Sequence, residues 1–228
     1  MLRSPRVAPT LLALTLAAGA TLHAQSLNRA VAGIEQHYNS LSGLRMQFEQ
    51  SMEYAGRKRM AERGTLYLSR PGKMRWDYSS PAGKVAVSDG EIFRMYSPNS
   101  NQVRLVRLDE MTDLRAPLSF LLGRMRLRRM FKNLRIEEVD GQAVLSGEGR
   151  SGQDFYSRVE FDYDPGDFSI HGIRIFGRDE SVNVYKFSGE QANPRMTADM
   201  FEFEAPPGAE VVPLTRNFND LPFNARER

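Results

Sequence analysis

Residues 64–78, GTLYLSRPGKMRWDY, and, after a break at Pro81, residues 88–98, SDGEIFRMYSP, decide how this chain folds. Leu66 and Leu68 alternate with Thr65 and Tyr67, and Met74, Trp76 and Tyr78 alternate with Arg75 and Asp77, the period-2 pattern of strands with one dry and one wet face. Between them Arg70-Pro71-Gly72 is turn chemistry, because proline presets φ and glycine tolerates positive φ. Asp89-Gly90 suits a two-residue primed turn ahead of the next alternating pair, Phe93 and Met95.

The pattern extends outward from this block. Upstream, Leu27, Val31, Ile34, Tyr38 and Leu41 form one apolar stripe at helical spacing, on a helix expected to end near Ser42-Gly43. The period then switches: Leu44, Met46, Phe48, Met52 and Tyr54 alternate with polar residues. Downstream, Val159/Phe161/Tyr163, Ile173/Ile175 and Val182/Val184 read as further strands, separated by turn signals at Asp140-Gly141, Asp164-Pro165-Gly166 and Gly177-Arg178-Asp179. About ten short antiparallel strands behind a leading helix predict an α+β, mainly β fold: a strongly curved sheet or incomplete barrel with one concave face. Between Leu108 and Leu134 the strand pattern stops. Pro117 to Gly123 reads as a short apolar helix, with proline in its first turn and glycine as its stop, expected to lie over the open end of the sheet.

The RPxxxxW block from Arg70 to Trp76, the SDGxxxxxYxP block from Ser88 to Pro98 and the later apolar segment resemble the outer-membrane lipoprotein carrier (LolA-like) family over about residues 27–213. The resemblance implies a half-open antiparallel β-barrel with an N-terminal helix and short lid helices covering an apolar cavity. It implies a non-enzymatic periplasmic chaperone that takes acylated lipoproteins from an inner-membrane lipoprotein-release complex to an outer-membrane lipoprotein acceptor, working as a monomer without a cofactor. Met74 and Arg94 stand where relatives often carry aromatic or apolar residues, which bears on cavity shape and cargo preference.

On this reading the lipid-binding cavity is expected from Met46, Phe48, Met52, Leu66, Leu68, Met74, Trp76, Tyr78, Phe93 and Met95, and the lid from Pro117, Leu118, Phe120, Leu121 and Leu122. Methionine is flexible and polarizable and suits variable apolar cargo, although each of these residues is also ordinary core material. Arg70 follows Leu66 and Leu68 by parity, which points a charge inward; followed by Pro71 and Gly72, it reads equally as an exposed turn residue. The resemblance makes it the lid latch. The segment 124–135 carries six cations and no acid, interleaved with Met125, Leu127, Met130, Phe131 and Leu134. It is either a solvated face or a docking patch, through Arg126, Arg128 and Arg129, for anionic lipid or an acidic partner, with transient membrane contact.

Composition bounds the alternatives. Cysteine is absent, which excludes disulfides and thiolate chemistry. The formal charge of +3 falls to about +1 once Arg3 and Arg6 of a secretory leader are removed, too close to neutral for a nucleic-acid footprint. Residues 1–24 read as that signal peptide, cleaved after Ala20 or Ala24; 25–213 as one carrier domain, soluble in the periplasm; and 214–228 as a flexible polar tail. Metal, nucleophile and phosphate-loop motifs are missing, and His37 and His171, with no partner visible, read as structural. Two other readings stay open: a carrier for another amphiphile such as a glycolipid, and a lipid- or lipoprotein-sensing regulatory domain.

Overall fold

A computed structural model describes residues 12–58, 61–108, 125–151 and 156–213, with side chains from Gln25 onward. Helix α1 spans Leu12–Asn39 and is continuous across both candidate leader-cleavage points. Strands β1 (Gly43–Tyr54), β2 (Arg57–Lys58), β3 (Glu62–Ser69), β4 (Lys73–Ser80), β5 (Val85–Asp89), β6 (Ile92–Ser97) and β7 (Gln102–Arg107) follow. A single-turn helix α2 (Leu127–Met130) leads into β8 (Phe131–Val139), β9 (Gln142–Gly149), β10 (Tyr156–Tyr163), β11 (Ile170–Gly177) and β12 (Val182–Ala192). A 3₁₀ turn at Ala198–Phe201 and β13 (Glu210–Pro213) close the described chain.

All thirteen strands among the described residues belong to one sheet, in the order β13-β7-β6-β5-β4-β3-β1-β12-β11-β10-β9-β8, with β2 pairing β1 off this path. Two meanders run outward from β1, which pairs with β3 on one side and β12 on the other. The terminal strands β13 and β8 do not pair, so the sheet is large, curved and unclosed, as expected of a half-open barrel. The pairing is antiparallel except at one edge, where β13 lies parallel to β7, a feature alternation cannot reveal.

Local chemistry explains the boundaries and corrects several expectations. α1 stops at Asn39, three residues early, and Leu41 sits in the turn that follows, its N–H donating to the Tyr38 carbonyl at 3.2 Å. Arg70-Pro71-Gly72 is the β3–β4 turn, with Gly72 at φ +70°. In the next hairpin the two turn residues are Gly90-Glu91 rather than Asp89-Gly90. Asp89 ends β5 and its Oδ1 accepts the N–H groups of Glu91 and Ile92, each at 2.8 Å, while Gly90 takes φ +105°. The strand pattern resumes at Phe131, not Leu134. The basic segment is therefore no continuous amphipathic helix, but a short helix running straight into an edge strand.

The main core lies on the concave face, where Ala30, Val31, Ile34 and Tyr38 of α1 pack against inward side chains of both meanders. On the convex face of the other half, Val103 and Leu105 join Ile92 in a smaller cluster covered by the chain's own Phe203, Ala205, Ala209 and Val211. Arg75 pins this cover, donating to the Met200 carbonyl at 3.1 Å while pairing with Asp77 at 2.8 Å.

Candidate lipid-binding face

Seven of the ten expected cavity residues, Met46, Phe48, Leu66, Leu68, Met74, Trp76 and Phe93, are buried in one cluster on the concave face. Tyr78 and Met95 are half-buried against it. Register brings them together: Met46 opposes Leu66, Leu66 opposes Trp76, and Trp76 opposes Ala86, which opposes Met95. Met52, near the end of β1 opposite Asn183, is half-buried, and Tyr54 beyond it is exposed, so the alternation of β1 outlives its burial.

Edge-to-face aromatic contacts knit the wall. Phe48 lies 4.6 Å from Trp76 and 5.1 Å from Tyr78 between ring centroids, and Trp76 lies 6.2 Å from Tyr185. Such pairs contribute roughly 0.5–1.5 kcal/mol beyond their buried area. Tyr185, stacked on Phe187 at 6.4 Å, belongs to this wall and was missed by the sequence reading, which took Val182 and Val184 for the dry face of β12. Val184 opposes Ser51, whereas Tyr185 and Phe187 are buried with the concave core. The alternation of Tyr185 and Phe187 with Lys186 and Ser188 was the signal that could have found them.

The wall is electrically quiet. Burial, reinforced by the Glu62 carboxylate, pushes the phenols of Tyr78 and Tyr185 well above the ordinary tyrosine range, so both stay neutral. At the rim Lys84 is held over the Tyr78 ring, 4.4 Å from its centroid, by a 2.6 Å ion pair with Glu62.

Arg70 faces inward. It lines a small cavity of about 10 Å³ with Tyr38, Leu41, Gly43, Leu44 and Leu68, between the end of α1 and the start of β1. Its side chain is half-buried and has no hydrogen bond or ion pair among the described residues. Desolvation by that burial lowers its guanidinium pKa from the ordinary value. Pro117, Leu118, Phe120, Leu121 and Leu122, the expected lid, lie outside the described residues.

α1 is fixed over the concave face by polar contacts that sequence periodicity does not show. The Tyr38 hydroxyl donates to Glu190 Oε2 at 3.0 Å and accepts the Ile170 N–H at 2.7 Å, and burial with the Glu190 charge raises its pKa. His37, read as partnerless, in fact sits 2.6 Å from Glu190 Oε1. The Asn39 amide both donates to the Met125 carbonyl at 2.9 Å and accepts the Met125 N–H at 2.6 Å, and Glu35 accepts the Leu127 N–H at 2.7 Å. Arg126, Arg128 and Arg129 are exposed around this docked segment, while Met125, Leu127 and Phe131 are fully buried.

Among the described residues no cluster of three or more His, Cys, Asp or Glu side chains could hold a metal, and no helix is long and apolar enough to cross a membrane. Residues 39–204 match the family model of the outer membrane lipoprotein carrier protein LolA. The chain is 27% identical over 184 residues to an outer-membrane lipoprotein carrier protein of Dechloromonas aromatica, covering 80% of this chain and 87% of that one. It is 29% identical over 183 residues to the carrier of Methylobacillus flagellatus, covering 80% and 88%. A solved LolA superfamily protein from Nitrosomonas europaea aligns over 76% of this chain and 97% of that one, at 12% identity and a TM-score of 0.43. The curved sheet, the apolar concave face and the match over residues 39–204 together place the chain in the outer-membrane lipoprotein carrier (LolA) family.

Proposed function

We propose that this chain is a periplasmic chaperone that binds the acyl chains of lipoproteins leaving the inner membrane and passes them to an outer-membrane acceptor. The observation that carries the reading is the concave face. Methionine and aromatic side chains of β1, β4 and β6 and the leucines of β3, joined by Tyr185 and Phe187, form one neutral apolar surface under a helix. A protein anchored by two or three fatty chains does not leave a bilayer unaided at a useful rate, since each buried methylene contributes ~0.8 kcal/mol. A face that covers itself with its own side chains when empty holds such chains loosely enough to surrender them, because cargo must displace those contacts.

In this reading residues 1–24 are the export signal, 25–213 the carrier and 214–228 a polar tail. Pro117, Leu118, Phe120, Leu121 and Leu122 are assigned the role of lid, and Arg70 that of its latch, using donors that find no partner among the described residues. The cavity is lined by Met46, Phe48, Met52, Leu66, Leu68, Met74, Trp76, Tyr78, Phe93 and Met95.

The test is release. Adding purified protein to spheroplasts making a radiolabelled outer-membrane lipoprotein should transfer label into the supernatant as a one-to-one complex. Label that stays on the membrane, with correctly folded carrier in the medium, contradicts the proposal.

A further inference from the structure

Strand register sorts the charged turns of this sheet to two ends. Along β1, β3 pairs no further than Gln50 and β12 no further than Glu53, so Tyr54 and the β1–β2 turn stand beyond both neighbours. Ala55 and Gly56 take φ +49° and +70°, the two positive angles of a primed two-residue turn, and Tyr54 pairs with Arg57 across it. Tyr54 is 54% exposed, more than any other large hydrophobic side chain among the described residues. The start of β12, the end of β11, the start of β10, the end of β9 and the start of β8 follow in register at this end, which brings Arg150 and α2 onto one rim with the hairpin. From β1 to β8 the rim is an arc of about 24 Å at ~4.8 Å per strand.

This rim is basic. Arg57 and Lys58 on the hairpin and Arg126, Arg128, Arg129 and Arg150 around α2 are exposed and have no ion pair among the described residues. Arg128 donates to the Asn28 amide oxygen and Arg150 to the Arg128 carbonyl; both partners are neutral, so neither bond cancels a charge. The acids of the arc are fewer: Glu53, Asp179 and Glu180 at the strand ends, and Glu35 of α1, which accepts the Leu127 N–H. Further along the strands the charges pair off, Arg135 with Glu137 and Arg174 with Glu160 and Asp162. At the opposite end the sign reverses in three of the hairpin turns, with Glu91 at β5–β6, Glu138 and Asp140 at β8–β9, and Asp164 and Asp167 at β10–β11, while β3–β4 carries Arg70 and Lys73.

We infer that the basic rim settles on an anionic phospholipid surface, with Tyr54 seated among the headgroups. Two observations favour lipid over an acidic polypeptide. A tyrosine exposed at a hairpin tip suits the membrane interface, where its ring meets acyl carbon and its hydroxyl stays wet. The cations are spread along an arc of strand ends, which meets a flat layer end-on and so reaches many phosphates at once. The acidic turns at the far end turn the molecule the same way in the field of such a layer. By parity Tyr54 continues the row Phe48, Gln50 and Met52 of β1, so a docked hairpin sets the end of the concave wall against the lipid.

The probe is a sucrose-loaded vesicle containing about one-third phosphatidylglycerol in phosphatidylcholine, sedimented with the full chain at low salt beside vesicles of phosphatidylcholine alone. Binding is expected to the anionic vesicles only, and is lost near ~0.5 M salt as screening shortens the reach of each charge. Arg57→Gln with Lys58→Gln should weaken it at least about tenfold, since each cation near such a surface is worth about fivefold, and Arg126→Gln with Arg129→Gln should do the same. Lys73→Gln with Arg195→Gln makes the same change in net charge at the opposite end and should alter binding little. All are read on variants whose thermal unfolding matches the parent. No sedimentation, equal binding to neutral vesicles, or equal loss from the Lys73 and Arg195 pair would overturn the inference. Retention of a glutamate–threonine peptide without retention of vesicles would also overturn it and assign the rim to an acidic polypeptide. No lipoprotein is present in this assay, so its failure leaves the acyl-chain reading standing, and failure of the spheroplast assay leaves this one standing.

Discussion

The two faces of the sheet bury similar side chains to different ends. On the convex side, Ile92, Val103 and Leu105 are covered by Phe203, Ala205 and Val211 of the same chain, and Arg75 ties that cover to the Met200 carbonyl. On the concave side, Met46, Phe48, Trp76 and Phe93 are buried beneath α1, which is held at its C-terminal end by Tyr38, His37, Asn39 and Glu35. Burial alone therefore does not mark a cargo site. The difference lies in what the cover is made of: a strand and turn of the same chain on one side, and on the other helix α1, over leucine, methionine and aromatic side chains.

Leu105→Ala and Trp76→Ala put that contrast under the greatest load. Both should destabilise, by ~2–5 and ~3–5 kcal/mol respectively in denaturant unfolding, because each leaves a hole in a packed cluster. Only Trp76→Ala should reduce lipoprotein capture per folded molecule in the spheroplast assay. Equal loss of capture from both would erase the functional distinction between the faces.

A smaller effect is expected from Tyr38→Phe, which removes the hydroxyl shared by Glu190 and the Ile170 N–H and leaves that buried amide unpaired. Unfolding free energy should fall by ~1–3 kcal/mol, with hydrogen exchange accelerating along the last turns of α1 before the strands. Uniform acceleration across the sheet would mean that α1 is not a separately held cover.

Acid sensitivity should report the convex-cluster half, where Asp89 closes the β5–β6 turn. Burial pushes its carboxyl pKa up, but the Ile92 N–H, Arg94 at 2.7 Å and the Glu91 N–H outweigh it and leave the folded pKa below the ordinary value. The stabilisation is therefore present above the unfolded pKa of about 3.9 and is lost as pH falls through the lower folded value. Stability measured from pH 6 down to 2 should decline less steeply in Asp89→Asn than in the parent; identical slopes would remove the assignment.

The smallest change in stability belongs to Arg70→Leu, since it replaces a desolvated cation without a partner by an apolar side chain. Unfolding should shift little or move slightly upward, while transfer of loaded cargo to acceptor membranes slows. Normal transfer would leave Arg70 as a turn residue only.

Much of the concave face was legible because period-2 alternation survives wherever one side of a strand is dry: β3, β4, β10 and β11 follow it closely, and with them half of the expected cavity residues. It misleads where two alternations overlap, as in β12, where Val182 and Val184 compete with Tyr185 and Phe187 and only cross-strand register decides. The β7–β13 pairing, the Glu190 contacts to His37 and Tyr38, and the Asn39–Met125 pair join residues 86 to 153 positions apart and have no local signature. The basic run at 124–135 was visible, but its division between a buried-apolar helix and an edge strand was not. That division follows from Phe131 entering the core and pairing with Gly149.

Native mass spectrometry tests the central claim most directly. Residues 25–228 carried to a bacterial periplasm behind their own leader, and purified without detergent, should fly as a one-to-one complex with an acylated polypeptide. The complex should be depleted when Trp76 and Phe48 are replaced by alanine. A chain that carries only free phospholipid, or that remains empty when lipoprotein synthesis is raised, would contradict the account.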